Sequence, residues 1–288
     1  MNDYEIVTDS SCDIMPELLQ LWGVCYASLT VKFDGDEESF SNYDMPFPEF
    51  YDKMRKGSVA RTSAVNIESF KQVFEPIVKA GKDVLYIGFS SGMSTTVNSG
   101  TIAAAELAEL YPERKIVTVD TLAASAGLGL LVYLAVQNKK RGATLEETAK
   151  FVEDTRLRIC HWVTVDDLVY LKRGGRVSAT AAFVSGVLNI KPVLRVDNDG
   201  RLETMFKARG RRAALKTLAD QYEKYASDPE HGTVFISHGD SPEDAHVLGQ
   251  MLAERFGVKA ELITYIGPVI GSHAGPGTVA LFFVGKER

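Results

Sequence analysis

The sequence predicts an α/β protein with two units: a parallel sheet sandwiched between helices, then an α+β unit with a mixed sheet. Three observations carry this. Short β-rich apolar runs alternate with helical segments through the first half, as repeated strand–helix units do. A hairpin signal, Asn198-Asp199-Gly200, lies between two strand-like runs in the second half. The length, 288 residues, corresponds to about two domains at roughly 100–200 residues each. The expected division is 1–160 for the N-terminal α/β domain and 161–288 for the C-terminal α+β domain.

The elements follow in order. Residues 4–8 read as an apolar strand, 16–22 as a helix with Pro16 in its first turn, and 24–33 as one β-rich run. Residues 34–48 are acidic, aromatic and turn-rich, as in a surface loop. A helix over 48–56 is closed by Gly57, and SVARTSAV after it looks irregular. Asn66 suits the N-cap of a helix reaching 79, with Gly81 beyond its end. A strand at 84–89, a helix at 94–110 and a strand at 115–119 lead to a helix at 122–137. Thr144 and Glu147 have capping-box spacing for the next helix.

In the second half, 161–165 reads as a strand and 167–171 as a helical turn before KRGGR. Residues 178–188 read as a small-residue helix. Strands at 191–196 and 201–207 flank the hairpin signal. A helix at 211–225, a strand at 233–237, a helix at 242–256 and a strand at 259–265 follow. The Gly-rich loop GPVIGSHAGPG precedes a last strand at 278–284.

Composition narrows the function. A net charge of −6 argues against nucleic acid as the partner. The three cysteines, Cys12, Cys25 and Cys160, form no CxxC, which points to a reducing, cytoplasmic setting. The N-terminus shows no secretory pattern. The uncharged run TLAASAGLGLLVYLAVQ, 17 residues over 121–137, is short for a membrane span and follows a strand, so it reads as a buried helix. No HxH, HExxH or calcium-loop spacing supports a metal.

Three loops concentrate polar side chains: Arg61-Thr62-Ser63, Ser90 to Thr96, and His273 to Gly277. The middle one joins a strand to a helix. Its free N–H groups and hydroxyls favour an anion, unless Ser94 or Thr95 simply caps the helix. Gly88-Phe89-Ser90-Ser91-Gly92 also fits G-x-S-x-G, with Asp120 and His273 following in hydrolase order. A serine hydrolase with Ser90 as nucleophile is therefore the alternative reading. KRGGR and the set Lys207, Arg209, Arg211 and Arg212 are basic knots in an acidic chain. Each is either a solvated face or a dock for an acidic or phosphorylated partner.

Taken together, the motifs resemble the DegV family. The resemblance runs nearly end to end: IVTDSSCDI at 6–14, TS at 62–63, GFSSGMS at 88–94, VDTLAASAGLGLLV at 119–132, LVYLKRGGRVSATAAFVSGVLNIKPVL at 168–194 and IGPVIGSHAGPGTVAL at 266–281. Two departures are visible: the family's usual TSQPS reads TSAVN, and Thr95 with Asn98-Ser99-Gly100 replaces the commoner Gly and QSA. The resemblance implies a two-domain DegV-like fold with an acyl chain in a tunnel between the domains. It implies Thr62, Ser94 and His273 as ligands of the fatty acid carboxylate, with Ser63, Ser91, Gly92 and Thr95 as candidate further contacts at the mouth.

It also implies a non-catalytic lipid carrier without cofactor or metal, whose bound long-chain fatty acid is phosphorylated by a separate ATP-dependent fatty acid kinase. Arg173 and Arg209 are the candidate contacts for that partner or its phosphate, and lipid exchange implies transient contact with a membrane surface. The energetics suit a closed site. About fifteen methylenes leaving water contribute roughly 12 kcal/mol, while the buried carboxylate needs hydrogen bonds worth about 1.5–3 kcal/mol each.

Overall fold

The computed structural model describes residues 3–177 and 189–288, so the helix expected at 178–188 lies outside the described residues. The first elements are β1 (Tyr4–Asp9), α1 (Pro16–Trp22), β2 (Val24–Ala27), β3 (Thr30–Phe33), β4 (Phe40–Ser41), α2 (Phe47–Arg55), β5 (Ala60–Ser63) and α3 (Ile67–Lys79). Then come β6 (Asp83–Gly88), α4 (Thr96–Leu110), β7 (Ile116–Asp120), α5 (Ala126–Lys140), α6 (Leu145–Arg156), β8 (Ile159–Thr164) and α7 (Val169–Arg173). The chain closes with β9 (Ile190–Val196), β10 (Leu202–Arg209), α8 (Arg211–Tyr225), β11 (Val234–His238), α9 (Pro242–Phe256), β12 (Leu262–Tyr265), α10 (Pro268–Ala274) and β13 (Val279–Val284).

The first sheet is parallel throughout, in the order β2-β1-β6-β7. Every residue of β6 is buried, as expected for a sheet covered on both faces. The helices pack in pairs, α3 with α4 and α5 with α6, and each pair packs on this sheet. Local chemistry sets the helix ends. Asn66 accepts from Ser69 N at 2.8 Å, and Thr144 with Glu147 closes the expected capping box. The mixed sheet runs β10-β9-β8-β13-β11-β12, antiparallel except for β11 with β12. Its hairpin turns at Asn198-Asp199-Gly200, with Gly200 left-handed at φ 73°.

Four expectations change. The run 24–33 divides between two sheets: β2 joins the parallel one, and β3 pairs with β4 and β5 in a small antiparallel sheet. The surface loop expected over 34–48 holds β4 and a fully buried Asn42, which bonds Ser10 O at 3.1 Å and Val269 N at 2.9 Å. The helix expected from 122 begins at Ala126, because the backbone turns left-handed at Leu122 (φ 53°) and Ser125 (φ 52°). The Gly-rich loop contains a helix, α10, with Pro268 in its first turn and Gly275 after its end.

The β8–β13 pair is central. Its register sets Trp162 opposite Leu281, Cys160 opposite Phe283, and His161 opposite Phe282. Cys160, Trp162, Leu281 and Phe283 share a buried cluster with Leu215, Leu218 and Tyr222 of α8 and Leu248 and Leu252 of α9. The intervening residues point the other way, because successive strand side chains alternate.

Candidate functional site

On that other face of β8 and β13 lies a cavity of about 490 Å³, within the range of small-ligand sites. Two alternating sets of side chains line it: His161, Val163 and Val165 from the β8 side, and Thr278, Ala280 and Phe282 from the β13 side. Ile266, Val269 and Ile270 close it from α10 and the residue preceding its cap. Burial of an apolar body in such a wall is favourable in proportion to the area removed from water.

The polar end is assembled from four segments. Thr62 on β5 and His273 on α10 meet, Thr62 Oγ1 to His273 Nε2, at 2.9 Å. Ser94 lines the same cavity, its hydroxyl accepting from Thr96 N at 3.2 Å and paired with Thr96 Oγ1 at 2.9 Å. Arg176 is the fourth: Nε donates to Met93 O at 3.2 Å and Nη1 donates to Gly174 O. Burial, and then the Arg176 guanidinium, push the His273 imidazole down to about 4. At neutral pH this end therefore offers two hydroxyls, a neutral imidazole and one guanidinium, a set that favours an anion. Among the described residues, Nδ1 of His273 is buried without a hydrogen-bond partner. It faces Gly174, where a side chain would collide with the imidazole.

The other candidate residues separate. Ser91 and Thr95 are exposed and line the cavity, which puts them at its rim. Ser63 pairs with Thr30 in the small sheet and does not line the cavity. Gly92 packs against the hairpin backbone, where a side chain would collide with Asp199 O. Arg173 is exposed over the Tyr170 ring, at 5.7 Å, and its charge reaches Asp34, the carboxylate that holds Arg61. Arg209 is exposed at the end of β10, opposite Ile190.

The serine-hydrolase constellation is not assembled. Ser90 is fully buried, donates to Gly200 O at 2.8 Å and accepts from Gly92 N at 3.1 Å. Asp120 accepts from Ser91 N at 3.2 Å and Leu122 N at 3.0 Å, while His273 bonds Thr62. The serine of the G-x-S-x-G match thus ties the hairpin to the loop after β6. An activated nucleophile would instead need its base within hydrogen-bond reach.

Two features escaped the sequence reading. Arg176 belongs to the KRGGR knot, but spacing does not say which of its cations turns inward. The second is a buried polar cluster beneath the cavity. Asp13 accepts from Ser125 Oγ at 2.5 Å and from Gly267 N at 2.9 Å, and Ser125 Oγ pairs with Ser237 Oγ at 3.1 Å. Burial pushes the Asp13 carboxyl up to about 8. In the sequence the cluster's members are far apart: Asp13 lies in the polar run after β1, Ser125 among small residues, and Ser237 near the end of a strand. Among the described residues no group of three or more His, Cys, Asp or Glu is arranged to hold a metal, and no helix is long and apolar enough to cross a membrane.

Comparison with known proteins gives a consistent result. Residues 3–286 match the family model described as "Uncharacterised protein, DegV family". A DegV domain-containing protein of Clostridium perfringens is 44% identical over 290 residues, which covers 100% of this chain and 99% of the relative. A structure described as fatty acid binding of a DegV family protein, from Thermus thermophilus, superimposes with a TM-score of 0.89 at 30% identity, covering 99% of this chain and 100% of that one. A stearic acid-binding protein of Eubacterium ventriosum gives 0.88 at 25% identity, covering 98% of both chains. The sequence motifs, the mixed α/β fold and these relatives agree: the chain belongs to the DegV family.

Proposed function

We propose that the cavity holds a long-chain fatty acid whose carboxylate is bound by Thr62, Ser94 and His273. Residues 1–160 and 161–288 then act as two domains that form the walls of an acyl tunnel. The observation that carries this reading is the meeting of Thr62 and His273 at 2.9 Å, with Ser94 and Arg176 beside them in the lining of a largely apolar cavity. The fatty acid named for the Thermus and Eubacterium relatives supports the same ligand class.

The chemistry asked of this chain is modest. It desolvates the acyl chain, fixes the carboxylate and exposes one oxygen to a second protein. That second protein is a separate ATP-dependent kinase. The carboxylate oxygen attacks the γ-phosphorus of ATP, the bond to the bridging oxygen breaks, and ADP and an acyl phosphate result. The nucleophile is already ionised, so the carrier needs no general base and is not itself the catalyst. Arg176 sits where it would offset the added negative charge, and Arg173 and Arg209 are the surface cations offered to the kinase or its phosphate. The setting is cytoplasmic, with transient contact at a membrane surface for lipid exchange.

Denaturing extraction and lipid mass spectrometry of the purified chain test this. A stoichiometric fatty acid is expected, with depleted occupancy in Thr62→Ala and Ser94→Ala. Repeated absence of lipid, together with no uptake of added fatty acid, would sink the reading.

A further inference from the structure

Ser125 breaks two local rules at once. It occupies the N-cap of the 15-residue helix α5 yet makes no side-chain cap bond, although serine normally accepts from the helix's second or third N–H. Its backbone is left-handed, φ 52° and ψ −149°, a conformation that costs energy in any residue with a Cβ. This geometry turns the side chain away from the helix end and into the wall of the cavity. The same wall holds the apolar Ala124, Val163, Ala280 and Phe282, and the imidazole of His161.

The hydroxyl is held but not saturated. It donates to Asp13 Oδ2 at 2.5 Å and pairs with Ser237 Oγ at 3.1 Å. A hydroxyl has one hydrogen and two lone pairs, so one valence remains for a third partner. The nearby imidazole does not compete for that role: His161 Nδ1 donates to Ile159 O at 2.9 Å, and Nε2 accepts from Ala124 N at 3.3 Å. Asp13 is anchored by Gly267 N at 2.9 Å, so the hydroxyl is backed by a fixed group.

Its depth follows from the strand register. Ser237 pairs with Ala280, and Ala280 lies two residues beyond Thr278, whose hydroxyl bonds Ala274 O beside His273 at 3.0 Å. At about 3.4 Å per residue, Ser125 faces the cavity roughly 7 Å past the level of the polar end. The lining continues beyond it to Phe282 and His161. The hydroxyl therefore meets an acyl chain in the half nearer its carboxylate.

We propose that Ser125 forms a second, polar subsite in the acyl cavity, one that takes an oxygen substituent, so that a fatty acid hydroxylated along its chain binds better than the unsubstituted acid of equal length. The ligand hydroxyl donates to the free lone pair of Ser125 Oγ. This rests on the fatty-acid reading above and adds a substrate class to it.

The test is equilibrium binding to the delipidated full chain, with octadecanoic acid and a set of its hydroxy derivatives substituted in the carboxyl-proximal half. At least one positional isomer is expected to bind about tenfold tighter than octadecanoic acid, the size of one hydrogen bond in a dry site. Ser125→Ala should abolish that preference and leave octadecanoic acid within about twofold, since no polar contact to it is lost. Ser125→Gly, which suits the left-handed backbone, should do the same and guards against misfolding of the alanine variant. Equal or weaker binding of every hydroxy isomer, or a preference that survives both substitutions, overturns the subsite alone. Failure of both acid types to bind overturns the fatty-acid reading and the subsite with it.

Discussion

The β8–β13 pair carries two faces made from the same residues by alternation, and they end differently. On one, Trp162 lies between Phe206 and Tyr225 at 6.0 and 5.9 Å, and Phe283 meets Tyr222 at 4.9 Å. On the other, Val163, Ala280 and Thr278 border empty space. What separates them is the layer opposite: α8 and α9 pack on the first face, and the cavity lies against the second. Large rings against α8 and α9 fill the first face to the density of a protein interior. On the second, Thr278 and Ala280 are the small members of a lining that also holds Val163, Phe282 and His161.

The comparison can be broken in four ways. The largest effect is expected on the filled face: Trp162→Ala should cost about 3–5 kcal/mol in urea unfolding, with the lipid content of the folded fraction unchanged. A loss under about 1 kcal/mol would mean that this face is not filled. At the polar end, Thr62→Ala should weaken fatty acid binding by about 1.5–3 kcal/mol, and loss of the imidazole's partner should cost the lipid-free protein about 1–3 kcal/mol. Unchanged affinity would remove Thr62 from the site.

Ala280→Phe sharpens the contrast directly. A filled core loses about 1–3 kcal/mol to such overpacking. Here the ring enters the cavity, so unfolding free energy should change by less than about 1 kcal/mol while lipid affinity falls at least about tenfold. A destabilised protein that still binds lipid would refute the open face.

The smallest effect at neutral pH is titration. Burial lowers His161, His238 and His273, the last two to about 4. Between about 4 and 6.5 the unfolded chain then binds more protons at these sites, so thermal stability should fall as pH drops through that window. Asp13, raised to about 8 from 3.8, works oppositely. Its native form holds the extra proton across that interval, so its contribution is lost as pH rises through 8. With three histidines against Asp13 and the likewise raised Asp9 below pH 6.5, the melting temperature should still peak near pH 6.5. Asp13→Asn should flatten the alkaline side, and a curve unchanged by that substitution would contradict the assignment.

Much of this was legible in the sequence, and what was not has physical causes. The parallel sheet announced itself through β-branched runs separated by well-capped helices, as at Asn66 and Thr144. The strand bearing Thr62 looked irregular because β5 sits in a three-stranded sheet and has no fully buried residue. Helix α10, which bears His273, was concealed by Gly and Pro, residues that usually mark turns but here sit in its first turn, within it and just past its end. The early start assigned to α5 is instructive. Thr121 to Ser125 has good helical composition, but the bond from Ser125 to Asp13, 112 positions away, overrides it. Arg176 over Arg173 was undecidable from spacing, since the turn at Gly175, φ 70°, determines which cation points inward.

The bond between Thr62 and His273 joins residues 211 positions apart. Closing so long a loop costs chain entropy before the contact gives any reward, which disfavours its early formation. A ligand that binds only the assembled end stabilises the native state over the transition state. Its effect should therefore appear in the rate of unfolding, not in the rate of folding. On the proposed function, the filled protein unfolds more slowly than the empty one, and its lifetime would record whether the cavity is occupied.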